Sequence, residues 1–269
     1  MRFAFALMAA VFIPLPSMAQ GGASGFFYKD KPIDPVCVQK LLGLGDSEAD
    51  FTPLTKCPLP DGVAEPDKRF KADEDGFYGF ETTEEDSAIT AYFMYRAAGR
   101  LKNGDYLIET IESGGGSGTF TSVSAIAYDG TSIKLTKKYA GGDRCNGGIT
   151  HAAVEGGKAV YRYSATPAEL AQIFLGAGEY APYEDLESSA ASCAGEVEER
   201  DGVITALVLD REQWAEGADD ASLSGDYAYQ GCFNNYMSSY LKVPAHSETL
   251  SRDEAVAFFK KFDATCKKS

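Results

Sequence analysis

The stretch Tyr128-Asp129-Gly130-Thr131-Ser132-Ile133-Lys134-Leu135-Thr136 decides the fold class. Its Asp-Gly pair is a tight-turn signal, because a two-residue hairpin of the primed type needs positive φ and glycine adopts it without steric cost. Ile133 to Thr136 then alternates apolar and polar, the period of a strand with one buried and one wet face. Glu155-Gly156-Gly157-Lys158 repeats the turn signal, while Ile89 to Tyr95 and Tyr106 to Ile111 are rich in aromatic and β-branched residues. An antiparallel β-meander over residues 76–165 follows, with a barrel-like closure left open.

Downstream the pattern turns helical, which makes the class α+β. Thr166-Pro167-Ala168-Glu169 is a capping box with proline at the first helical position, and predicts a short helix running to Gly176. Val203 to Leu209 reads as a late strand returning to the sheet. Tyr229, Cys232, Phe233, Tyr236, Met237, Tyr240 and Leu241 share one helical stripe, read as core packing. Ser251-Arg252-Asp253-Glu254 opens a second amphipathic helix carrying Ala255, Phe258, Phe259, Phe262 and Cys266. The acidic runs Glu84 to Asp86 and Glu196 to Glu199 are expected in solvated loops. Trp214, in a polar stretch, reads either as an exposed anchor or as a partly buried contact.

Upstream, residues 20–75 carry Pro32, Pro35, Pro53, Pro58, Pro60 and Pro66 around an apolar helix candidate at Val36 to Leu44. They read as a proline-rich N-terminal wrap ahead of a main domain over 76–269. Residues 1–19 read as a signal peptide: Arg2 is basic, Phe3 to Leu15 is apolar, and Ser17-Met18-Ala19 offers small residues for cleavage before Gln20. The apolar run is short of the roughly 20 residues that span a bilayer, so no membrane insertion is expected.

All six cysteines lie beyond that segment, and three disulfides in an exported chain, periplasmic or extracellular, are the economical reading. An antiparallel helix pair brings Cys232 to Cys266. Cys37 and Cys57 close a local loop, and elimination leaves Cys145 with Cys193. The net charge is −15. Such an excess opposes binding to nucleic acid or anionic lipid, where Lys and Arg must neutralise phosphates.

The chemistry-bearing segment is Gly141-Gly142-Asp143-Arg144-Cys145-Asn146-Gly147-Gly148-Ile149-Thr150-His151. Glycines let successive N–H groups converge on an anion, and Arg144 has the fork geometry to grip a carboxylate or phosphate. Alternation of meander turns places Gly114 to Gly118, with Ser117, at the same end, and the helix start at Thr166 would add donors there. The candidate binding set is therefore Ser117, Asp143, Arg144, Asn146 and His151. The competing account is that a loop of this length needs glycine and an Asp143–Arg144 pair merely to be ordered.

His151 should face Arg162 across the Gly156-Gly157 turn. A hydrolase would use it with a nearby acid, and Ser117 or Thr150 as nucleophile, but no Gly-x-Ser-x-Gly elbow accompanies it. His151 and His246 lack zinc-ligand spacing, and Asp73 to Gly76 lacks the alternating acids of a calcium loop, so no metal and no cofactor is expected. The leading expectation is an exported, non-enzymatic binding or interaction protein engaging a small anionic ligand or a protein partner at the glycine-rich rim. A hydrolase using His151 and a structural envelope-maintenance protein are the alternatives.

Overall fold

A computed structural model describes residues 26–43, 51–56, 68–70, 75–83, 90–215 and 227–267. The signal-peptide stretch, Cys57 and Glu84 to Asp86 lie outside the described residues. The strands are β1 (Phe27–Tyr28), β2 (Lys31–Pro32), β3 (Phe51–Pro53), β4 (Lys68–Phe70), β5 (Tyr78–Thr83), β6 (Thr90–Arg100) and β7 (Tyr106–Ser113). They continue with β8 (Phe120–Tyr128), β9 (Ser132–Asp143), β10 (Ile149–Glu155), β11 (Lys158–Ala165), β12 (Gly195–Arg200), β13 (Val203–Val208) and β14 (Thr249–Ser251). The helices are α1 (Pro35–Leu42), α2 (Pro167–Leu175), α3 (Ala177–Tyr180), α4 (Arg211–Ala215), α5 (Gln230–Leu241) and α6 (Arg252–Cys266).

The class is α+β with antiparallel sheets, but the strands divide into two principal sheets rather than one meander. Seven strands in the order β3-β9-β8-β7-β6-β5-β4 form a curled half-barrel. Five more, in the order β10-β11-β12-β13-β14, form the second sheet. The break falls at residues 144–148, where the chain leaves β9 and starts β10 in the other sheet.

Helix α1 fills the concave side of the half-barrel. Asp34 caps it by accepting from the Val36 N–H, Pro35 opens it, and Val36, Cys37, Val38 and Leu41 are buried. They meet Phe93, Tyr95, Tyr106, Ile108, Ile126 and Ile133 from alternate positions of the strands. The expected wrap therefore does more than cover the domain: it contributes the core of this layer and, through β3 and β4, both edge strands of the sheet. Cys37 is disulfide-bonded and buried there.

The opposite face of the half-barrel carries Leu107, Val123 and Ala125, packed against Ile149, Ala152, Ala159 and Tyr161 of β10 and β11. Farther along, the same face of the second sheet turns to the helices. Ala165, Val197, Leu207 and Leu250 pack there with Phe174, Trp214, Phe233, Phe259 and Phe262. Phe174 stacks on Phe259 at 5.4 Å between centroids, and Phe233 meets Phe262 edge-on at 5.5 Å. Trp214 is in this core and only 1% exposed, with its indole N–H donating to the Ala194 carbonyl, so the exposed-anchor expectation is overturned. Cys232 in the first turn of α5 is bonded to Cys266 at the end of α6, which fixes the two helices antiparallel. Capping boxes at Thr166/Glu169 and Ser251/Glu254 set the starts of α2 and α6.

The acidic run Glu196 to Glu199 is not a loop: it is most of β12, the central strand of the second sheet. Two of its three charges are held locally. Glu198 takes the Arg162 guanidinium at 2.9 Å, and Glu199 accepts the hydroxyls of Tyr161 at 2.5 Å and Tyr163 at 3.1 Å. Only Val197 on this strand enters the apolar core, so hydrophobic periodicity carried no signal.

The half-barrel also holds a buried charge. Glu109, 4% exposed, sits directly across from Arg96, whose Nε and Nη2 lie 2.7 and 2.6 Å from its Oε2. The guanidinium also covers the Phe77 ring at 5.0 Å. Burial raises the Glu109 pKa, and the Arg96 charge offsets part of that rise. Removing one partner strands a buried charge, so Arg96→Ala should cost about 3–5 kcal/mol in urea unfolding at neutral pH. A carboxyl whose native pKa is raised favours the folded state while protonated, so the loss should shrink as the pH falls and grow as it rises. The double variant Arg96→Met/Glu109→Met should recover most of the stability; equal losses in single and double variants would show that the pair is not what is being measured.

Candidate functional site

The turn 114–119 and the loop 144–148 share one end of the half-barrel, joined by backbone and side-chain bonds. The Thr119 N–H donates to Asp143 Oδ1 at 2.9 Å, and the Arg144 N–H donates to the Thr119 carbonyl at 3.3 Å. The second sheet approaches the same place, because the Gly147 N–H donates to the Ser164 carbonyl and the Ser164 N–H to the Gly148 carbonyl. Cys145, bonded to Cys193, adds a covalent tie to the segment ahead of β12.

Each loop N–H is taken up by the protein. Asp143 and Asn146 exchange N–H···O bonds of 3.0 and 2.8 Å, Cys145 donates to the Ala190 carbonyl and Gly148 to the Arg144 carbonyl. The Ile149 N–H donates to Thr121 Oγ1. The glycines make this closeness possible: a Cβ at Gly142 would stand 1.8 Å from the Asn146 carbonyl oxygen, and one at Gly148 would stand 2.2 Å from that of Arg144. Arg144 itself is held at φ +47°. Glycine thus serves close backbone approach here, and the N–H donors of loop 144–148 are already spent.

Helix α2 adds no free donors either. Thr166 is buried, its N–H and that of Glu169 are used within the capping box, Ala168 donates to the Glu187 carbonyl and Pro167 has no N–H.

What the rim does present is a clamped arginine. Arg144 Nε and Nη2 lie 3.0 Å from Asp143 Oδ1 and Oδ2 in a fork, leaving Nη1 as its unspent nitrogen among the described residues. The hydrogen bond from Arg144 is the largest influence holding the Asp143 carboxyl below its ordinary value, with the Thr119 N–H adding to it. Beside the pair stands Phe120, directly across from Asp143 in the β8–β9 ladder and 36% exposed. The sequence reading passed over Phe120. Its ring lies close over Gly118, where a Cβ would meet it at 2.8 Å.

Of the remaining candidates, Ser117 is exposed in the turn and Asn146 half-buried in the loop, and neither side chain has a hydrogen bond among the described residues. His151 belongs to the second sheet, exposed and opposite Arg162 on its open face. It makes no hydrogen bond or ion pair to an acid among the described residues, and the neighbouring Glu198 is held by Arg162 and Thr205. His246 is stacked on Tyr240 at 4.4 Å, with Nδ1 at the Tyr240 carbonyl, at the end of α5. No group of three His, Cys, Asp or Glu able to hold a metal occurs among the described residues.

The Asp143 clasp is testable by pH. A carboxyl with a lowered native pKa contributes its stabilisation above the unfolded-state value, and loses it as the pH falls through the native one. The carboxyl carbon of Asp143 should therefore titrate below about 3.9, the ordinary aspartate value, and Arg144→Gln should move the midpoint back up. An unchanged midpoint in the variant would contradict the clasp. No family model, curated protein or solved structure matches this chain, which leaves the geometry of the rim as the ground for its function.

Proposed function

We propose that the chain is an exported, non-catalytic interaction protein that docks a partner protein at the rim formed by turn 114–119 and loop 144–148. The single observation that carries this reading is Phe120, exposed beside the Asp143–Arg144 fork on a backbone tied by hydrogen bonds and a disulfide. Aromatic and arginine side chains dominate binding energy at protein interfaces, and a rigid platform limits the entropy lost on association. Ser117 and Asn146 flank the pair as polar contacts. A small anion is the less favoured ligand, because the loop amides are spent and one guanidinium nitrogen is a thin basis for recognition.

The disulfides Cys145–Cys193 and Cys232–Cys266 and the leader-like residues 1–19 support the exported setting, periplasmic or extracellular. No helix among the described residues is long and apolar enough to cross a membrane. The charge of −15 favours protein partners with basic patches over nucleic acid.

A photo-crosslinking residue at Ser117, compared with one at Lys158 on the second sheet, tests the reading in the native compartment. Discrete adducts are expected from position 117 only. Phe120→Ala or Arg144→Ala should weaken capture by about 2 kcal/mol or more, roughly thirtyfold. His151→Ala should leave it intact. Adducts that persist unchanged in Phe120→Ala and Arg144→Ala, or loss of function in a folded His151→Ala protein, would overturn the assignment.

A further inference from the structure

On the open face of the second sheet, one row of directly paired residues crosses three strands: Ser164 on β11, Glu196 on β12 and Val208 on β13. Their strand neighbours Ala165, Val197 and Leu207 enter the core, so alternation turns this row outward. The row lines an open groove of about 330 Å³, bounded also by Cys193, Asp210 and Glu248. That size falls within the range of small-molecule sites.

Ser164 is the residue that points to a ligand. It is only 9% exposed and lines the groove. Its N–H and carbonyl are used on Gly148 and Gly147, while its hydroxyl has no hydrogen bond among the described residues. A buried hydroxyl is ordinarily partnered, and this one opens onto a groove from which a partner can come.

The charge around it is negative. Glu196, directly across from Ser164, has no side-chain hydrogen bond or ion pair among the described residues. Asp210 spends Oδ1 on the N–H groups of Glu212 and Gln213. Glu248 is offset by Arg211, whose other nitrogens go to the Leu241, Val243 and His246 carbonyls at the end of α5. Arg162, two residues from Ser164 on the same face, is held by Glu198 at 2.9 Å. No Lys or Arg lines the groove among the described residues, so Glu196 and Asp210 have no cation against them there. No three His, Cys, Asp or Glu among the described residues are placed to hold a metal, so the acceptors suit a larger cation.

We propose that this groove binds a primary ammonium carried on an alkyl stem. The ammonium donates to the Ser164 hydroxyl and the Glu196 carboxylate, Asp210 adds to the field, and the stem lies along Val208. Cross-strand partners stand about 5 Å apart at Cβ, so one ammonium reaches both acceptors. Its three donors suit acceptors on separate residues, whereas a guanidinium fork is matched to the two oxygens of one carboxylate. A free alkylamine and a lysine side chain of another protein offer the same group. The site goes beyond the docking rim and uses none of Ser117, Phe120, Asp143, Arg144 or Asn146.

Pentylamine and Nα-acetyl-lysine methylamide probe the two sources, with pentanol and Nα-acetyl-norleucine methylamide as their uncharged counterparts. Each is titrated into isotope-labelled protein while the amide signals of Ser164, Glu196 and Val208 are followed. At least one amine should shift these signals saturably, and the tighter of the two identifies the source. Glu196→Gln should weaken binding by about tenfold. Ser164→Ala should weaken it by about fivefold with every charge in place, a loss that general attraction to an acidic surface would not show. Should that protein not fold, Glu196→Gln decides. Phe120→Ala and Arg144→Gln should bind as the unaltered protein does, which separates this site from the rim. Saturation by neither amine, equal binding of the uncharged counterparts, or tighter binding of Nα-acetyl-arginine methylamide would overturn the proposal. So would displacement of the amine by calcium beyond the effect of sodium chloride at equal ionic strength, or unaltered affinity in both groove variants.

Discussion

Between Asp143 and Ile149 the chain leaves one sheet and enters another, and over that interval each backbone N–H finds a protein acceptor. The rest of the architecture depends on this crossing. It sets β10 across the outer face of the half-barrel, and β10 in turn positions β11 and the sheet that supports the helices. The crossing is tight enough that Gly142 and Gly148 cannot carry a Cβ without backbone movement. It is fixed a second time by Cys145–Cys193, whose bond joins residues 48 apart in sequence. The same constraint makes the rim at this end rigid, which is what allows Phe120 and Arg144 to be presented without a large ordering cost.

Turn chemistry and capping were the parts of the structure most legible in the sequence. Gly156 and Gly157 both take positive φ, and the resulting register sets His151 across from Arg162. Thr166/Glu169 and Ser251/Glu254 open their helices as capping boxes. These features are local, so a few residues determine them. The Asp129-Gly130 turn was read less well. Tyr128 pairs with Ile133, and the Asp129 side chain organises a longer turn in which Gly130 takes φ +92°. A side-chain bond two residues ahead competes with the two-residue hairpin, and the sequence does not rank the two.

The division into two sheets was not legible, because nothing in the alternation of β9 and β10 says which strand each will pair with. Nor was β12, since a central strand bearing Glu198 and Glu199 depends on partners supplied by Arg162, Tyr161 and Tyr163 from another segment. The candidate site shows the same limit. Ser117, Asp143, Arg144 and Asn146 do gather at one end of the half-barrel, as turn alternation requires, but whether the loop amides are free for a ligand is decided by acceptors at Thr119, Ala190 and Ser164. His151 stands on the open face of the second sheet because β10 does not pair with β9. Phe120 becomes conspicuous only once its exposure beside the fork is known.

The central claim, that the glycine-rich crossing is a closed, fully bonded clasp and not an open anion cradle, is most directly measured by amide hydrogen exchange at neutral pH. The N–H groups of Arg144 to Ile149 should be protected to an extent comparable with those in the middle of β9, and inorganic phosphate should not alter them. Exchange at the rate of an unstructured loop, or a saturable change in protection on adding phosphate, would contradict the account.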